Sequence, residues 1–278
     1  MMIVTRFAPS PTGYLHLGHA FAALTASRAG ERFLLRIEDL DKDRAREEFV
    51  TAIFEDMRWL GLVWEEPVLR QSNRAAAYRE ALARLKNFTY PCFCTRKEIA
   101  EEIARAAEAP HFDVLSAPRT GPDGPLYPGT CRRLTPEERK ARIAKGQSFA
   151  LRLDAVKAAA AVGPLAFTEH GHVHQVDPLL FGDVVLARKD LPAAYHLAVV
   201  VDDTFQGVTL ITRGADLLPA THVQRLLQAL LGYPAPAYAH HRLILDKDGR
   251  KFSKRDNAIT LRALRAEGIT PAALEALF

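Results

Sequence analysis

Apolar and polar positions at the start of the chain follow two alternating patterns. Residues 2–8 form a short apolar run that Pro9 ends, which predicts a buried strand. From residue 19 to residue 28 the apolar side chains recur at helical spacing, and residues 33–37 form a second apolar run. Strand, glycine-containing turn, helix and strand is the order of a βαβ unit. The pattern therefore predicts an α/β fold with a Rossmann-type doubly wound parallel sheet.

Further apolar patterns predict more helices and strands along the chain, as expected for an α/β fold. Helical spacing predicts helices at 44–60, 73–86 and 221–231. Continuous apolar runs at 195–201 and 208–211 predict strands, the first of them covered on both faces. Short amphipathic helices are expected at the C-terminal end.

Residues 87–180 differ in character and are interpreted as an insertion into the α/β unit. They contain all three cysteines, a Pro/Gly-rich loop and an irregular stretch with histidines at 170, 172 and 174, for which we expect an exposed turn rather than a metal site. The predicted organisation has four parts: 1–86 and 181–245 as the two halves of a catalytic domain, 87–180 as an inserted zinc-binding and RNA-contacting subdomain, and 246–278 as a lysine-bearing loop with C-terminal helices.

Composition narrows the class of protein only a little. The 278 residues are 48% hydrophobic, with a net charge of +4 that is compatible with an RNA or nucleotide partner. No apolar run approaches a membrane span and no signal peptide is evident, so a cytoplasmic enzyme is expected. Three cysteines are an odd number, which argues against a disulfide framework and leaves free thiols or a metal site.

Two histidines mark the junction between the first predicted strand and helix. His16 and His19 are three residues apart and can share one face of the helix start. Adenylation of a carboxylate needs imidazole and ammonium donors at the phosphate oxygens, with Mg²⁺ balancing the triphosphate. Gly18 would let an adenine ring approach closely. The alternative is a pair of incidental histidines near a turn.

A second candidate phosphate-binding group lies near the C-terminal end. Lys251 and Lys254 flank a serine on a loop preceded by Gly249. Two such lysines can clamp a pyrophosphate leaving group when the loop closes on the transition state. Taken alone, a run of basic residues also fits a solvated surface.

Both groups together resemble the signatures of the class I aminoacyl-tRNA synthetases. Residues 16–19 read His-Leu-Gly-His, similar to the HIGH motif, and residues 251–255 read Lys-Phe-Ser-Lys-Arg, similar to the KMSKS motif with arginine in place of the last serine. The resemblance implies ATP binding by His16, Gly18, His19 and Lys254, and catalysis by His16, His19, Lys251 and Lys254.

Other segments resemble the glutamyl branch of that family. They are residues 6–13 with 36–41, residues 58–62 with Gln71-Ser72, and residues 201–203 with 213–217. A γ-carboxylate substrate favours a bidentate guanidinium, for which Arg6 and Arg213 are the candidates, and Glu38 suits the α-ammonium. The resemblance implies L-glutamate binding by Arg6, Phe7, Ala8, Pro9, Ser10, Glu38, Tyr195 and Arg213. Without the motif context, a surface ion pair would explain Glu38 or Arg213.

The length of the chain favours a truncated member of this branch. The sequence stops 23 residues after Arg255, too early for an anticodon-binding region. Resemblance to these truncated members implies that glutamate is activated without tRNA. The glutamyl group is then transferred to the cyclopentenediol of queuosine at the wobble position of tRNA(Asp). The expected partner is the anticodon arm of that tRNA, and the protein is expected to be a monomer. The alternatives are a fragment of an ordinary synthetase that charges a tRNA 3′ end, a nucleotidyl transferase of the HxGH type, and a non-enzymatic tRNA-binding paralogue.

The cysteines predict a structural zinc site in the inserted segment. Cys92 and Cys94 are two apart in a strand-like stretch and project to the same side, and Cys131 can return across a loop. Three sulfurs with one nitrogen or oxygen ligand suit tetrahedral Zn²⁺. The family resemblance assigns the fourth position to Tyr127, with His111 as a rival. Free buried thiols are the alternative. The nearby basic residues Arg132, Arg133, Arg139, Lys140 and Arg142 form either a stripe for RNA phosphates or a solvated helix face.

Overall fold

The computed structural model describes residues 2–107, 119–244, 259–276 and 278. In these ranges the strands are β1 (Val4–Phe7), β2 (Arg32–Ile37), β3 (Glu65–Arg70), β4 (Thr89–Cys92), β5 (Thr120–Gly121), β6 (Gly124–Pro125), β7 (Ala150–Leu153), β8 (Ala166–Glu169), β9 (His172–Gln175), β10 (Val185–Arg188), β11 (Leu210–Gly214) and β12 (Ala237–His241). The α-helices are α1 (Leu17–Ala29), α2 (Glu47–Trp59), α3 (Ala75–Arg84), α4 (Arg96–Ala107), α5 (Pro136–Ala144), α6 (Ala155–Val162), α7 (Tyr195–Phe205), α8 (Ala220–Leu231), α9 (Leu261–Ala266) and α10 (Pro271–Glu275).

Parallel strands form the centre of the molecule. β1 pairs with β2 and β2 with β3, and β11 pairs with β12 and β12 with β8, each time in parallel. The two groups adjoin where the backbone N–H of Thr209 donates to the carbonyl of Val4 at 3.0 Å. This arrangement confirms the predicted α/β fold with a parallel sheet.

Two large apolar cores join the helices to the strands, the first at the parallel strands and the second at the strands β7 and β10. In the first, Leu24 of α1 and Ile53 of α2 pack with Leu35 of β2, and Leu261 brings in α9. The second core joins α3, α7 and α8 with β7 and β10. The helices predicted at 44–60, 73–86 and 221–231 are confirmed as α2, α3 and α8; α2 and α3 are shorter than predicted, and α8 begins one residue earlier. No helix in the described ranges combines the length and apolar character needed to cross a membrane.

The strand predicted at 195–201 is wrong, because this segment is the N-terminal part of α7. Every residue from Leu197 to Asp203 is buried, so the helix is covered on all sides. A helix that is apolar all round shows no amphipathic period, and a short apolar run of this kind cannot be told from a buried strand by its pattern. The tertiary packing overrides the strand preference of the three consecutive valines.

A smaller antiparallel sheet, in the order β10-β7-β4, lies outside the parallel sheet. Strand β4 leads into a compact cluster of Tyr90, Cys92, Phe93 and Cys131. The exposed turn expected for the histidines at 170, 172 and 174 is confirmed only at His170 and Gly171, which connect β8 to β9. His172 and His174 lie instead on the exposed strand β9, so for them the prediction is wrong. The predicted inserted range 87–180 also contains β8, which pairs with β12 of the parallel sheet, so the boundary at 180 stays a prediction.

Candidate active site and metal centre

A cavity of about 500 Å³ opens at the carboxyl ends of the parallel strands β1, β2 and β11. This edge of a parallel sheet is where ligands of open α/β folds bind. The cavity is lined by all the residues predicted to bind glutamate, namely Arg6, Phe7, Ala8, Pro9, Ser10, Glu38, Tyr195 and Arg213, together with His16, Gly18 and His19. Lys251 and Lys254 lie outside the described residues, so their assignment stays a prediction.

The two histidines build the N-terminal cap of α1. Nδ1 of His16 accepts the backbone N–H of Gly18 at 3.1 Å, and Nδ1 of His19 accepts the backbone N–H of His16 at 3.2 Å. Their ring centroids are 3.8 Å apart. Because Nδ1 of each ring accepts a hydrogen bond, the proton of each neutral imidazole is on Nε2. Two imidazole donors therefore stand beside the positive end of the helix dipole, which suits binding of an anion.

Gly18 fits closely against this cap. A Cβ atom at Gly18 would lie 3.1 Å from Cε1 and 3.3 Å from Nδ1 of His16. A larger residue would push the imidazole away from the N–H it accepts. The close approach of an adenine ring, for which Gly18 was proposed, stays a prediction beside this structural reason.

The described residues on either side of 245–258 also meet at this cavity. Leu243 and Ile244 line it. Thr260 forms an antiparallel bridge with His16, and the backbone N–H of Leu261 donates to the carbonyl of Leu15 at 2.8 Å. The described residues that precede 245–258 therefore line the cavity, and those that follow it lie beside the histidine cap.

Arg6 belongs to a buried network of charges. Its Nε lies 3.0 Å from Oδ1 of Asp203, and its Nη1 donates to the carbonyl of Thr212 at 3.1 Å. The same Asp203 oxygen accepts from Nη1 of Arg36 at 2.6 Å, and Nη2 of Arg36 donates to Glu38 at 3.1 Å. Burial opposes the charge on Asp203, but the two guanidinium groups hold its pKa below the ordinary value. For Glu38, burial prevails over Arg36 and raises the pKa.

Arg213 is held in a different way. Its Nε donates to Nε2 of His240 at 3.0 Å, its Nη1 to Oε1 of Gln224 at 2.7 Å and its Nη2 to Oγ1 of Thr221 at 2.8 Å. These acceptors are uncharged, and among the described residues no carboxylate pairs directly with Arg213. Asp203 offsets the charge of Arg6, whereas Arg213 has no such partner in the described part of the chain, and its three hydrogen bonds fix its orientation.

Sequence reasoning missed several residues that organise the cavity. Arg36 and Asp203 lay inside segments that supported the family resemblance, but neither received a role. Asp203 follows the apolar run of α7, and an acidic pair directly after such a run is a usable signal for buried ionic contacts. His240 gave no signal, since its partner Arg213 is 27 residues away in the chain.

The three cysteines and Tyr127 converge as predicted. The Sγ atoms of Cys92, Cys94 and Cys131 all lie within 4.8 Å of one another. The Tyr127 hydroxyl lies 3.3 Å from Sγ of Cys92 and 3.5 Å from Sγ of Cys94, and accepts the backbone N–H of Cys131 at 2.8 Å. His111, the rival fourth ligand, lies outside the described residues.

These four side chains fit a tetrahedral metal centre. Bond lengths of zinc to sulfur and oxygen imply ligand separations of about 3.8 Å for two sulfurs and about 3.5 Å for sulfur and oxygen. Without a cation, burial raises the pKa of the Cys94 thiol to about 12. Burial and the neighbouring Cys92 and Cys94 thiols also raise the pKa of the Tyr127 hydroxyl, so these ligands need a cation to lose their protons. The donor set therefore suits a cation that takes thiolates.

The basic residues near this centre are largely used within the protein. Arg132 pairs with the buried Asp183 at 3.1 Å, and Arg139 donates to the carbonyl of Arg132 at 2.8 Å. The guanidinium of Arg142 lies 5.5 Å from the centroid of the Phe93 ring. Arg132, Arg139 and Arg142 therefore have contacts within the protein, and the choice between a stripe for RNA phosphates and a solvated helix face stays open.

The family follows from this fold and cavity. The family described as "tRNA synthetases class I (E and Q), catalytic domain" matches residues 2–277, and the chain belongs to it. It is a class I aminoacyl-tRNA-synthetase-type ligase.

Individual relatives narrow the likeness further. The chain is 48% identical to the glutamyl-Q tRNA(Asp) synthetase of Rhodobacter capsulatus, over 99% of both chains. It is 44% identical to the protein of the same name from Symbiobacterium thermophilum, over 97% of this chain and 83% of that one. Among solved structures, the glutamate-tRNA synthetase of Elizabethkingia anophelis superposes with a TM-score of 0.78 at 26% identity. That match covers 98% of this chain but 60% of the solved chain.

Proposed function

We propose that this protein activates L-glutamate with ATP, without tRNA, and transfers the glutamyl group to the cyclopentenediol of queuosine at the wobble position of tRNA(Asp). The observation that carries the first half is the cavity in which three kinds of group converge: the Arg213 guanidinium, which has no carboxylate partner among the described residues, the mostly buried carboxylate of Glu38, and two imidazole donors. The second half is supported by the names of relatives that match nearly the whole chain.

The cavity offers complementary groups to each end of glutamate. In the proposed complex, Arg213 binds the γ-carboxylate through guanidinium hydrogens left over from its three internal hydrogen bonds. Glu38 takes the α-ammonium, because a cation beside this buried carboxylate stabilises its charged form. Arg6 is already paired with Asp203. We therefore assign it the role of fixing the shape of the pocket, with one additional contact to the substrate.

Activation joins an oxygen of the α-carboxylate to the α-phosphorus of ATP and breaks the bond to pyrophosphate. Negative charge grows on the α-phosphate oxygens in the transition state. His16 and His19 carry their protons on Nε2 and would donate to those oxygens. Mg²⁺ bound to ATP would offset the charge of the triphosphate. The family resemblance assigns Lys251 and Lys254 to the departing pyrophosphate.

The cysteine cluster would hold one structural Zn²⁺. The proposed ligands are Cys92, Cys94, Cys131 and the phenolate of Tyr127, which the distances above support. All four belong to or adjoin the cluster around Tyr90 and Phe93, so the metal would brace this part of the fold rather than enter the reaction.

The proposed activation step is tested by glutamate-dependent exchange of labelled pyrophosphate into ATP, with no tRNA present. We expect exchange with L-glutamate and much less with L-glutamine, because the amide cannot pair with Arg213. Exchange that requires tRNA would contradict the proposal and favour an ordinary synthetase core. Absence of exchange under both conditions would favour a non-enzymatic tRNA-binding paralogue.

The proposed acceptor needs a separate experiment. Labelled glutamate is offered with tRNA(Asp) that carries queuosine, with the same tRNA lacking it, and with tRNA(Glu). We expect transfer only to the first. Transfer to tRNA(Asp) without queuosine, or to the 3′ end of tRNA(Glu), would refute the acceptor while leaving glutamate activation intact.

A further inference from the structure

Register in the parallel sheet places His240 directly beside Arg213. The two residues are partners in the pairing of β11 with β12. Nε of Arg213 lies 3.0 Å from Nε2 of His240. A guanidinium can only donate, so Nε2 of this imidazole must be an unprotonated acceptor.

Glu169 determines which tautomer of His240 is present. Its Oε2 lies 2.7 Å from Nδ1 of His240, and its Oε1 accepts the backbone N–H of His240 at 2.8 Å. With Nε2 occupied as an acceptor, the imidazole proton is on Nδ1 and is donated to Glu169. Glu169 lies at the end of β8, opposite Tyr238 of β12, so three neighbouring strands supply one chain of hydrogen bonds.

We propose that the Glu169–His240 dyad is a positioning device that holds Arg213 in the orientation needed to bind the γ-carboxylate of glutamate. The inference rests on the proposed function. His240 presents an acceptor to Arg213 only while it is neutral. Protonation would replace the acceptor with a donor and set two positive groups against each other, releasing one side of Arg213.

The surroundings of His240 favour the neutral state. Its side chain is 1% exposed and lies parallel to the Tyr238 ring. Burial and the Arg213 guanidinium lower its pKa, whereas Glu169 acts in the opposite direction. His170 also faces this group, since its Nε2 lies 3.0 Å from the carbonyl of His240 and 3.3 Å from Glu169. Acid therefore has to protonate a group that the fold keeps neutral.

Two substitutions separate the acceptor from the ring. His240→Leu removes the acceptor, and we expect the KM for glutamate to rise about tenfold or more, the scale for one lost hydrogen bond to a charged group, with kcat changed much less. His240→Gln can still accept from Arg213 and donate to Glu169, and we expect it to restore most of the affinity. His222→Gln is the matched control. His222 is a histidine of α8 whose Nδ1 accepts the backbone N–H of Asp177, and it does not contact Arg213.

The pH profile gives a readout that a merely structural role would not change. In the wild-type protein we expect glutamate affinity, measured by calorimetry without ATP, to fall as the pH drops below the ordinary histidine range of about 6.5. In His240→Gln the part of that loss due to His240 should disappear, because the amide does not titrate, and only the loss due to protonation of Glu38, whose pKa burial raises, should remain. His222→Gln should keep the wild-type profile.

The outcomes distinguish this inference from the proposed function. An unchanged glutamate KM in a folded His240→Leu protein, or a wild-type pH profile in His240→Gln, would overturn the dyad while exchange continues. Should His240→Leu fail to fold, as judged by its melting curve, the comparison of His240→Gln with wild type decides the question. Wild-type protein that binds glutamate but shows no exchange would refute the proposed activation and leave the dyad to be judged by calorimetry.

Discussion

The cavity and the cysteine cluster both contain buried polar groups, but only the cavity pairs them with opposite charges inside the protein. In the cavity, Asp203 already joins Arg6 and Arg36, so opposite charges are matched within the protein. In the cluster, the sulfurs of Cys94 and Cys131 are 3.4 Å apart, and two thiols cannot offset each other's charge. The first site is organised before any ligand arrives, whereas the second needs a cation to make its ligand separations favourable.

The largest effect is expected from removing the uncompensated charge in the cavity. Arg213→Leu should lower kcat/KM for glutamate by about 10³-fold, because a substrate carboxylate would be buried opposite an apolar group. Pyrophosphate exchange at varied glutamate concentration measures this, and the melting temperature reports on folding. Arg225→Leu is the control, since Arg225 is another partly buried arginine whose contacts, to Ala166 and Gln228, lie outside the cavity. A comparable loss in the control would remove the distinction.

A smaller loss is expected from the phosphate side of the same cavity. His19→Ala should lower the exchange rate at saturating glutamate by about 10²-fold, the scale for one lost transition-state donor. Because His19 also accepts the backbone N–H of His16, His19→Asn is the matched variant that can keep the cap without the Nε2 donor. We expect it to melt like wild type and to be as slow as His19→Ala. A change confined to the KM for glutamate would contradict the phosphate role.

The cysteine cluster should show the reverse behaviour. Chelation of the metal, or Cys131→Ser, is expected to lower the melting temperature by about 5 °C, which corresponds to roughly 2 kcal/mol in a domain of this size. Exchange measured well below the melting temperature should stay close to wild type, because the cluster is separate from the cavity-lining residues. Metal content, melting temperature and exchange are measured on the same sample. Loss of exchange in a folded, metal-free protein would assign the metal to the reaction.

Asp56 of α2 is a buried carboxylate outside the cavity and the cysteine cluster, so it offers a separate test of what an incompletely paired charge costs. Within the described ranges, neither carboxylate oxygen of this buried residue has a hydrogen-bond partner, and Nη1 of Arg265 lies 3.7 Å away. Burial raises the pKa of Asp56 to about 6. A carboxyl group with a raised pKa favours the folded state at acidic pH, and this contribution is lost as the pH rises through about 6.

Asp56→Asn should therefore stabilise the protein at pH 8 by about 1–2 kcal/mol and have little effect near pH 4.5. Urea unfolding at the two pH values measures the difference. Glu55→Gln is the control, because the neighbouring Glu55 side chain is about half exposed. Equal effects of Asp56→Asn at both pH values would show that charge burial is not the cause.

Local patterns predicted much of the parallel sheet, and the family resemblance supplied most of the residues predicted for the cavity. The apolar runs at the start of the chain became β1 and β2, and the histidines between them became the cap of α1. All the described members of the predicted glutamate and ATP sites line one cavity. The agreement for β1, β2 and the start of α1 has a physical basis, since strand ends, glycine turns and helix starts are encoded by neighbouring residues, whereas the roles of the cavity residues stay predictions.

The sequence by itself determined the kinds of group at this site: a histidine cap, arginines and a glutamate at strand ends, and thiols close to one another. Only the tertiary structure decided which groups are paired. The Arg6–Asp203 contact joins residues 197 apart, and α7, which carries Asp203, was misread as a strand. Periodicity reports how a segment is buried and not which distant side chain faces it. Sheet register and helix packing therefore determined that Arg6 is neutralised by Asp203, whereas Arg213 rests on a neutral His240 and keeps its charge.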